Sequence, residues 1–222
     1  MVAGPDGSQW LGTAEALMRA DGSGGTFRAV GTAGEVLTLA VDRSGTAWAG
    51  LRSGLEACSA TGCRNVAMPG GAANALLADP SGRMWIGTDA GLFFADGGKV
   101  QGFGQTTGRV GFLYCDRQGT VWAGTAHGLM RIVPGGQGAA ELLRGGDVFL
   151  SAAEDREGDL WLGTESGGLA VLRDRKFSAL TAEDGLTDEY VLSLAQAPNG
   201  HVGVGTKGGG LNVFHDLSLI HI

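Results

Sequence analysis

The sequence predicts an all-β fold, a β-propeller of four-stranded blades, and three observations carry that expectation. A tryptophan followed two residues later by glycine recurs at Trp10, Trp48, Trp85, Trp122 and Trp161, with Gly12, Gly50, Gly87, Gly124 and Gly163 as partners. These anchors stand 38, 37, 37 and 39 residues apart, and a sixth copy 42 residues further on carries Gly203 in place of the ring, ahead of Gly205-Thr206. Between anchors, short apolar stretches alternate with glycine-containing turns, and no helical period appears. Self-similarity at a period of about 40 residues, four strands to the unit, is the pattern of propeller blades.

The fifth copy shows each element in turn. FLSAAED (Phe149–Asp155) reads as a buried inner strand. Asp155-Arg156-Glu157-Gly158 is a tight turn, with the aspartate accepting backbone N–H bonds and the glycine free to take positive φ. DLWLGT (Asp159–Thr164) alternates as a second strand, residues 165–168 turn again, LAVLRD is a third strand, and KFSALT follows an Asp-Arg turn as a fourth. AEDGLTDEY then links to the next inner strand, VLSLAQA.

Applied along the chain, this unit gives propeller repeats over residues 1–214. The first blade is partial (4–30), with no inner strand ahead of Gly4. Complete blades follow at about 35–68, 73–105, 110–144 and 148–181, and a last blade at 191–214. The six copies read as a fragment of a seven-bladed propeller. The tail 215–222 leaves the pattern without a fourth strand, and its SLIHI end resembles translated sequencing-adapter sequence.

Composition narrows the function classes. With 42 glycines but only 5 prolines and 43% apolar residues, the glycines read as turn chemistry in register with the repeat rather than as low complexity. A net charge of −7 argues against a general nucleic-acid or anionic-membrane surface. No apolar run approaches the roughly 18 residues that span a bilayer, and the N-terminus shows no signal peptide.

Asp42, Asp79, Asp116 and Asp155 each lie three residues before the turn glycine and six before the tryptophan. Turn formation accounts for them. The tryptophans read as structural anchors filling the wedge between adjacent blades, where burying roughly 200 Å² contributes about 5 kcal/mol. Gly203 at the sixth anchor predicts a looser last blade.

The pattern D-x-x-G-x-L-W-x-G-T-x-x-G-G-L, a Lys-Phe strand, and the linker T-x-E-D-G-L-T-x-x-Y-V-L-S-L over Leu180–Leu194 resemble the two-component regulator propeller repeat. The resemblance runs from about Gly4 to Phe214. Departures are Ala16 for glycine in copy one, Leu51 for threonine in copy two, and Ala197-Pro198-Asn199-Gly200 for the acidic turn of copy six. Such repeats build seven-bladed propellers in the extracytoplasmic sensing region of bacterial membrane receptors, ahead of a histidine kinase, diguanylate cyclase or DNA-binding output domain. The resemblance therefore implies a periplasmic, non-catalytic sensor segment of an inner-membrane receptor. Its expected partners are a small solute, sugar or anionic, the rest of the receptor, and a homodimer mate. It implies neither nucleic-acid binding nor membrane contact by this segment, and no cofactor.

In a propeller the turns between second and third strands emerge with the inter-blade linkers on one face. Those turns differ in charge here, and they supply the ligand-binding candidates: Arg52, His127 and Lys207 to grip an anionic or sugar ligand, Asp89 and Glu165 to accept hydroxyls. Solvated turn tips are the plainer reading of each. The linker carrying Leu186 and Tyr190 either docks on the neighbouring blade or faces a partner subunit. Cys58 and Cys63 flank a predicted hairpin turn, as a cross-strand disulfide or as a reduced pair, and Cys115 reads as a buried free thiol. Gly203–Gly208 satisfies G-x-G-x-x-G but precedes a strand rather than a helix, so it is no nucleotide site. Gly145-Gly146-Asp147 is a linker without cyclase context, and His127, His201, His215 and His221 share no metal-ligand spacing. Two further functions stay open: a propeller lyase, which would need a histidine, a base and often a metal at the channel mouth, and a secreted protein-binding scaffold.

Overall fold

The structure, a computed structural model, describes residues 1–22, 24–96, 98–104, 106, 108–133, 141–144, 146–173, 176–215 and 218–220. Two compact units make up the chain, Met1–Leu113 and Tyr114–Ile222.

The first unit holds three antiparallel sheets whose strands pair in sequence order. They comprise β1 (Val2–Ala3), β2 (Gln9–Gly12), β3 (Ala16–Ala20) and β4 (Arg28–Ala33); β5 (Val36–Val41), β6 (Ala47–Leu51), β7 (Gly54–Ser59) and β8 (Gly62–Val66); and β9 (Ala73–Ala78), β10 (Met84–Thr88), β11 (Leu92–Asp96) and β12 (Lys99–Gly102). The division between units falls inside β13 (Val110–Cys115), which opens a fourth sheet with β14 (Val121–Thr125), β15 (Gly128–Ile132) and β16 (Glu141–Arg144). The second unit continues with β17 (Phe149–Glu154), β18 (Leu160–Thr164), β19 (Leu169–Arg173) and β20 (Lys176–Leu180). Its last sheet is β21 (Val191–Gln196), β22 (Val202–Thr206), β23 (Gly210–His215) and β24 (Ser218–Ile220). Among the described residues there is no α-helix, only a 3-10 turn at Ala182–Asp184.

Both ends differ from the sequence expectation. Val2 pairs with Trp10 and Ala3 with Gln9, so the first sheet has the inner strand that the sequence does not suggest. Two residues are too few to show a period. Its fourth strand also runs on to Ala33, past the expected boundary at residue 30. The tail beyond Phe214 supplies β24, paired with β23 through Val213–Ile220 and Phe214–Leu219, rather than leaving the pattern. Residues 221–222, with His221, and residues 174–175, the expected Asp-Arg turn, lie outside the described residues, as does Gly145.

Three of the anchors sit where successive sheets stack. Trp10 packs with Ala47, Ala49 and Cys58 of the next sheet. Trp48 packs with Ala73, Met84 and Ile86, and Trp161 with Val191, Val202, Val204 and Phe214. The glycine two residues after Trp10, Trp48, Trp85 and Trp161 is set by close approach. A Cβ on Gly50 would lie 2.6 Å from the Ala73 carbonyl oxygen, on Gly87 2.7 Å from that of Val110, and on Gly163 2.5 Å from Val191 Cγ1. The incoming inner strand therefore rests on the bare backbone of the sheet before it.

The acidic turns do more than reverse the chain. Asp79 Oδ1 accepts from the Ser81 and Arg83 N–H groups while Oδ2 accepts from Trp85 Nε1 at 2.9 Å. Gly82, at φ 89°, closes the turn in the left-handed region that glycine tolerates.

Candidate functional site

The turn after each second strand is shaped by the threonine of the repeat. Thr88, Thr125, Thr164 and Thr206 each donate from Oγ1 to the carbonyl of a glycine at or just before the start of the third strand, at 2.9, 2.9, 2.8 and 3.1 Å. Each turn tip is thus held on a hydrogen-bonded base, and the residue at its apex is free to vary. Leu51 breaks that pattern in the second sheet, where Arg52 and Ser53 turn without the hydroxyl.

All five sequence candidates are exposed, and most carry local partners. In the first unit, Arg52 Nε donates to Glu35 Oε2 at 2.7 Å. Asp89 Oδ1 accepts from Asn74 Nδ2 at 2.8 Å and lies 3.9 Å from Arg109 Nε. Arg52 and Asp89 therefore serve separate pairs. In the second unit, the backbone N–H of His127 donates to Thr125 Oγ1 at 3.1 Å while the residue itself is exposed.

Glu165 and Lys207 are brought together by a residue that the sequence reading placed in a linker. The Tyr190 hydroxyl donates to Glu165 Oε1 at 3.4 Å, a long contact, and Lys207 Nζ lies 4.5 Å from the centre of the Tyr190 ring. An ammonium over a tyrosine face is attracted by the ring quadrupole. An acid, a phenol and an amine thus share one exposed cluster.

The linker that carries Tyr190 is held at both ends. Thr181 caps the 3-10 turn at Ala182–Asp184, Gly185 closes it at φ 97°, and Leu186 is buried beside Trp161 and Val191. Asp188 accepts from the Tyr190 N–H through Oδ1 and from the Gly208 N–H through Oδ2, both at 2.8 Å. Asn212 Nδ2 donates to Thr187 Oγ1 at 2.8 Å, and Thr187 Oγ1 donates to the Gly209 carbonyl at 2.9 Å. Lys207 N–H closes the set on the Tyr190 carbonyl at 3.0 Å. Packed and hydrogen-bonded neighbours on both sides preorganise this loop, as a binding surface requires.

Cys58 and Cys63, directly opposite on β7 and β8, are joined by a disulfide. Cys115 is half-buried rather than buried, with Sγ 3.5 Å from the Asp116 carbonyl oxygen.

Against this geometry, the two component regulator propeller family matches the sequence twice, over residues 67–90 and 143–166. Each match spans a first turn, a tryptophan and a second turn. Those two stretches are two component regulator propeller repeats. No curated protein matches it in sequence. Solved structures share the fold. The extracellular domain of a putative hybrid two component system from B. thetaiotaomicron is 20% identical, with a TM-score of 0.75 over 96% of this chain and 31% of that one. PorZ, a surface component of the type-IX secretion system of Porphyromonas gingivalis, is 18% identical at a TM-score of 0.71, over 96% of this chain and 37% of PorZ. A catalytically inactive virginiamycin B lyase from Staphylococcus aureus, solved with quinupristin, is 12% identical at a TM-score of 0.76, over 97% of this chain and 80% of the lyase. At these identities the likeness shows the β-propeller fold alone. The chain spans about a third of the length of the two-component neighbour.

Proposed function

We propose that this propeller is a non-catalytic, extracytoplasmic sensor segment of a bacterial two-component or related receptor, and that it binds a small polyhydroxylated or anionic solute. The observation that carries the reading is the Glu165–Tyr190–Lys207 cluster on a linker latched to its neighbouring turn. A carboxylate and a phenol bond sugar hydroxyls, and an ammonium bonds either a hydroxyl or an anionic group. Binding would act on signalling by favouring one arrangement of the receptor over another.

The test is a thermal-shift screen of sugars, sugar acids and small anions against the purified protein, followed by Tyr190→Ala, Lys207→Ala and Arg52→Ala. A hit whose stabilisation disappears in the Tyr190 and Lys207 variants and survives in Arg52→Ala supports the cluster. Unchanged stabilisation in both would overturn it, and so would a screen of the folded protein with no hit.

A further inference from the structure

A buried carboxylate stands beside the disulfide. Glu56 is 5% exposed, on the same face of β7 as Cys58, and one oxygen of its carboxylate lies within 4.8 Å of both sulfurs. At the equivalent position, the residue after the leucine that faces the repeat glycine, the other sheets of the first unit carry Met18 and Phe93, and two in the second carry Met130 and Ala170. The repeat framework therefore does not ask for an acid here. The surroundings make room for it, because a Cβ on Gly31 of β4 would come within 2.8 Å of Glu56 Oε2.

We propose that Glu56, Cys58 and Cys63 form a redox-gated site for a thiophilic divalent cation, zinc being the physiological case. Two thiolates and one carboxylate make a three-residue protein ligand set of the kind zinc accepts, with a fourth position left for water or another donor. The disulfide closes the site by consuming both sulfur ligands. Opening it takes a small-molecule dithiol, whose two thiol groups supply two electrons and two protons. The Cys58–Cys63 bond breaks to two thiols, and the donor is oxidised to its own disulfide. The cation then displaces the two thiol protons and draws Glu56 in as third ligand.

Cys58 is fully buried, so attack falls on Cys63, whose half-buried sulfur borders a cavity of about 470 Å³ lined also by Ser59, Thr61 and Arg64. On the other side, Cys63 Sγ lies 3.0 Å from the Val30 carbonyl oxygen. The site therefore bridges β4 to the β7–β8 hairpin, and its state would set how firmly these two sheets are tied.

The experiment uses the whole chain, reduced with dithiothreitol, desalted without oxygen and titrated with cobalt(II) as spectroscopic probe, then with zinc. A thiolate-to-cobalt charge-transfer band saturating at one equivalent, lost when zinc is added, is expected. The oxidised protein and Cys63→Ser should show no such band. Glu56→Gln should weaken binding by about tenfold or more, since even outer-shell partners of a metal are worth roughly 10–100-fold. Glu56→Ala, which installs the side chain that Ala170 already places at this position, guards against loss of fold. No one-equivalent band in reduced protein, or unchanged affinity in both Glu56 variants, would overturn the site.

Discussion

Trp85 Nε1 donates a 2.9 Å hydrogen bond to Asp79 Oδ2, six residues back across the turn that joins inner and second strands. The same bond recurs from Trp48 to Asp42 at 2.8 Å, from Trp122 to Asp116 at 2.9 Å and from Trp161 to Asp155 at 2.6 Å. Where the aspartate is missing, the chain adjusts. Gly4 holds its place in the first copy, and Trp10 Nε1 donates instead to Ser8 Oγ at 3.1 Å. In the sixth copy Ala197 replaces the aspartate and Gly203 the tryptophan, so donor and acceptor disappear together. A buried indole N–H needs a partner, and the turn carboxylate supplies one while it caps its own backbone.

That coupling predicts a mutational pattern. Trp85→Phe keeps most of the apolar burial but removes the donor, and it should cost about 1–3 kcal/mol. Trp85→Ala should cost about 3–5 kcal/mol because a cavity opens where the ring packs against Phe94 and Phe103. Combining Trp85→Phe with Asp79→Ala should destabilise less than the sum of the two, by about 0.5–3 kcal/mol in a double-mutant cycle. Chemical denaturation of the four proteins checks this, and strict additivity would mean that the bond contributes nothing.

The same carboxylates make stability depend on acid. Burial pushes the Asp42 carboxyl up, yet the bonds from the Ser44 hydroxyl, Trp48 and the Thr46 and Ser44 N–H groups outweigh it, and its pKa falls below the usual carboxylate value. For Asp79 burial is again opposed and outweighed, by Ser81, Trp85 and the Arg83 and Ser81 N–H groups. A folded pKa below the unfolded value of about 3.9 gives stability that is present above that value and lost as pH falls through the folded one. The melting temperature should therefore drop steeply below about pH 4. Asp42→Asn with Asp79→Asn should melt lower at neutral pH and show a shallower acid slope. Parallel pH profiles for variant and parent would contradict this.

The close approach at the repeat glycine gives a third contrast. A Cβ on Gly163 meets Ser151 Oγ and Val191 Cγ1 at 2.5 Å, whereas one on Gly203 finds nothing nearer than 3.6 Å. Gly163→Ala should destabilise by about 1–3 kcal/mol through overpacking. Gly203→Ala should change stability by no more than about 0.5 kcal/mol. Thermal melts of both proteins decide whether the next inner strand is as tightly seated as its contacts indicate.

The blade architecture was legible because tryptophan and glycine at a fixed period encode the stacking of sheets, and that stacking is repeated along the chain. β1 and β24 were not, because two or three residues without an anchor carry no periodic signal. Asp79 was readable as a turn former, but its second oxygen looked idle until the indole was placed beside it. The candidate site divides in the same way. Glu165 and Lys207 follow from turn position alone, whereas Tyr190 lies between them only because Asp188 and Thr187 latch a linker onto a turn some 20 residues on. Glu56 gave no signal as a single acid in a strand, since its meaning depends on which face Cys58 and Cys63 share.

The last sheet departs from the others at one repeat position. The leucine facing the repeat glycine is at most 2% exposed in Leu17, Leu55, Leu92, Leu129 and Leu169, but Leu211 is 67% exposed. The first five are buried, so truncation removes packing, while Leu211 has little to lose. Leu169→Ala should cost about 2–5 kcal/mol. Leu211→Ser should shift stability by no more than about 0.5 kcal/mol and should raise solubility by removing an exposed apolar side chain. Urea denaturation of the two variants measures the difference directly. A Leu211→Ser protein as crippled as Leu169→Ala would mean that this leucine is covered in solution by another sheet, from the same chain or a second copy.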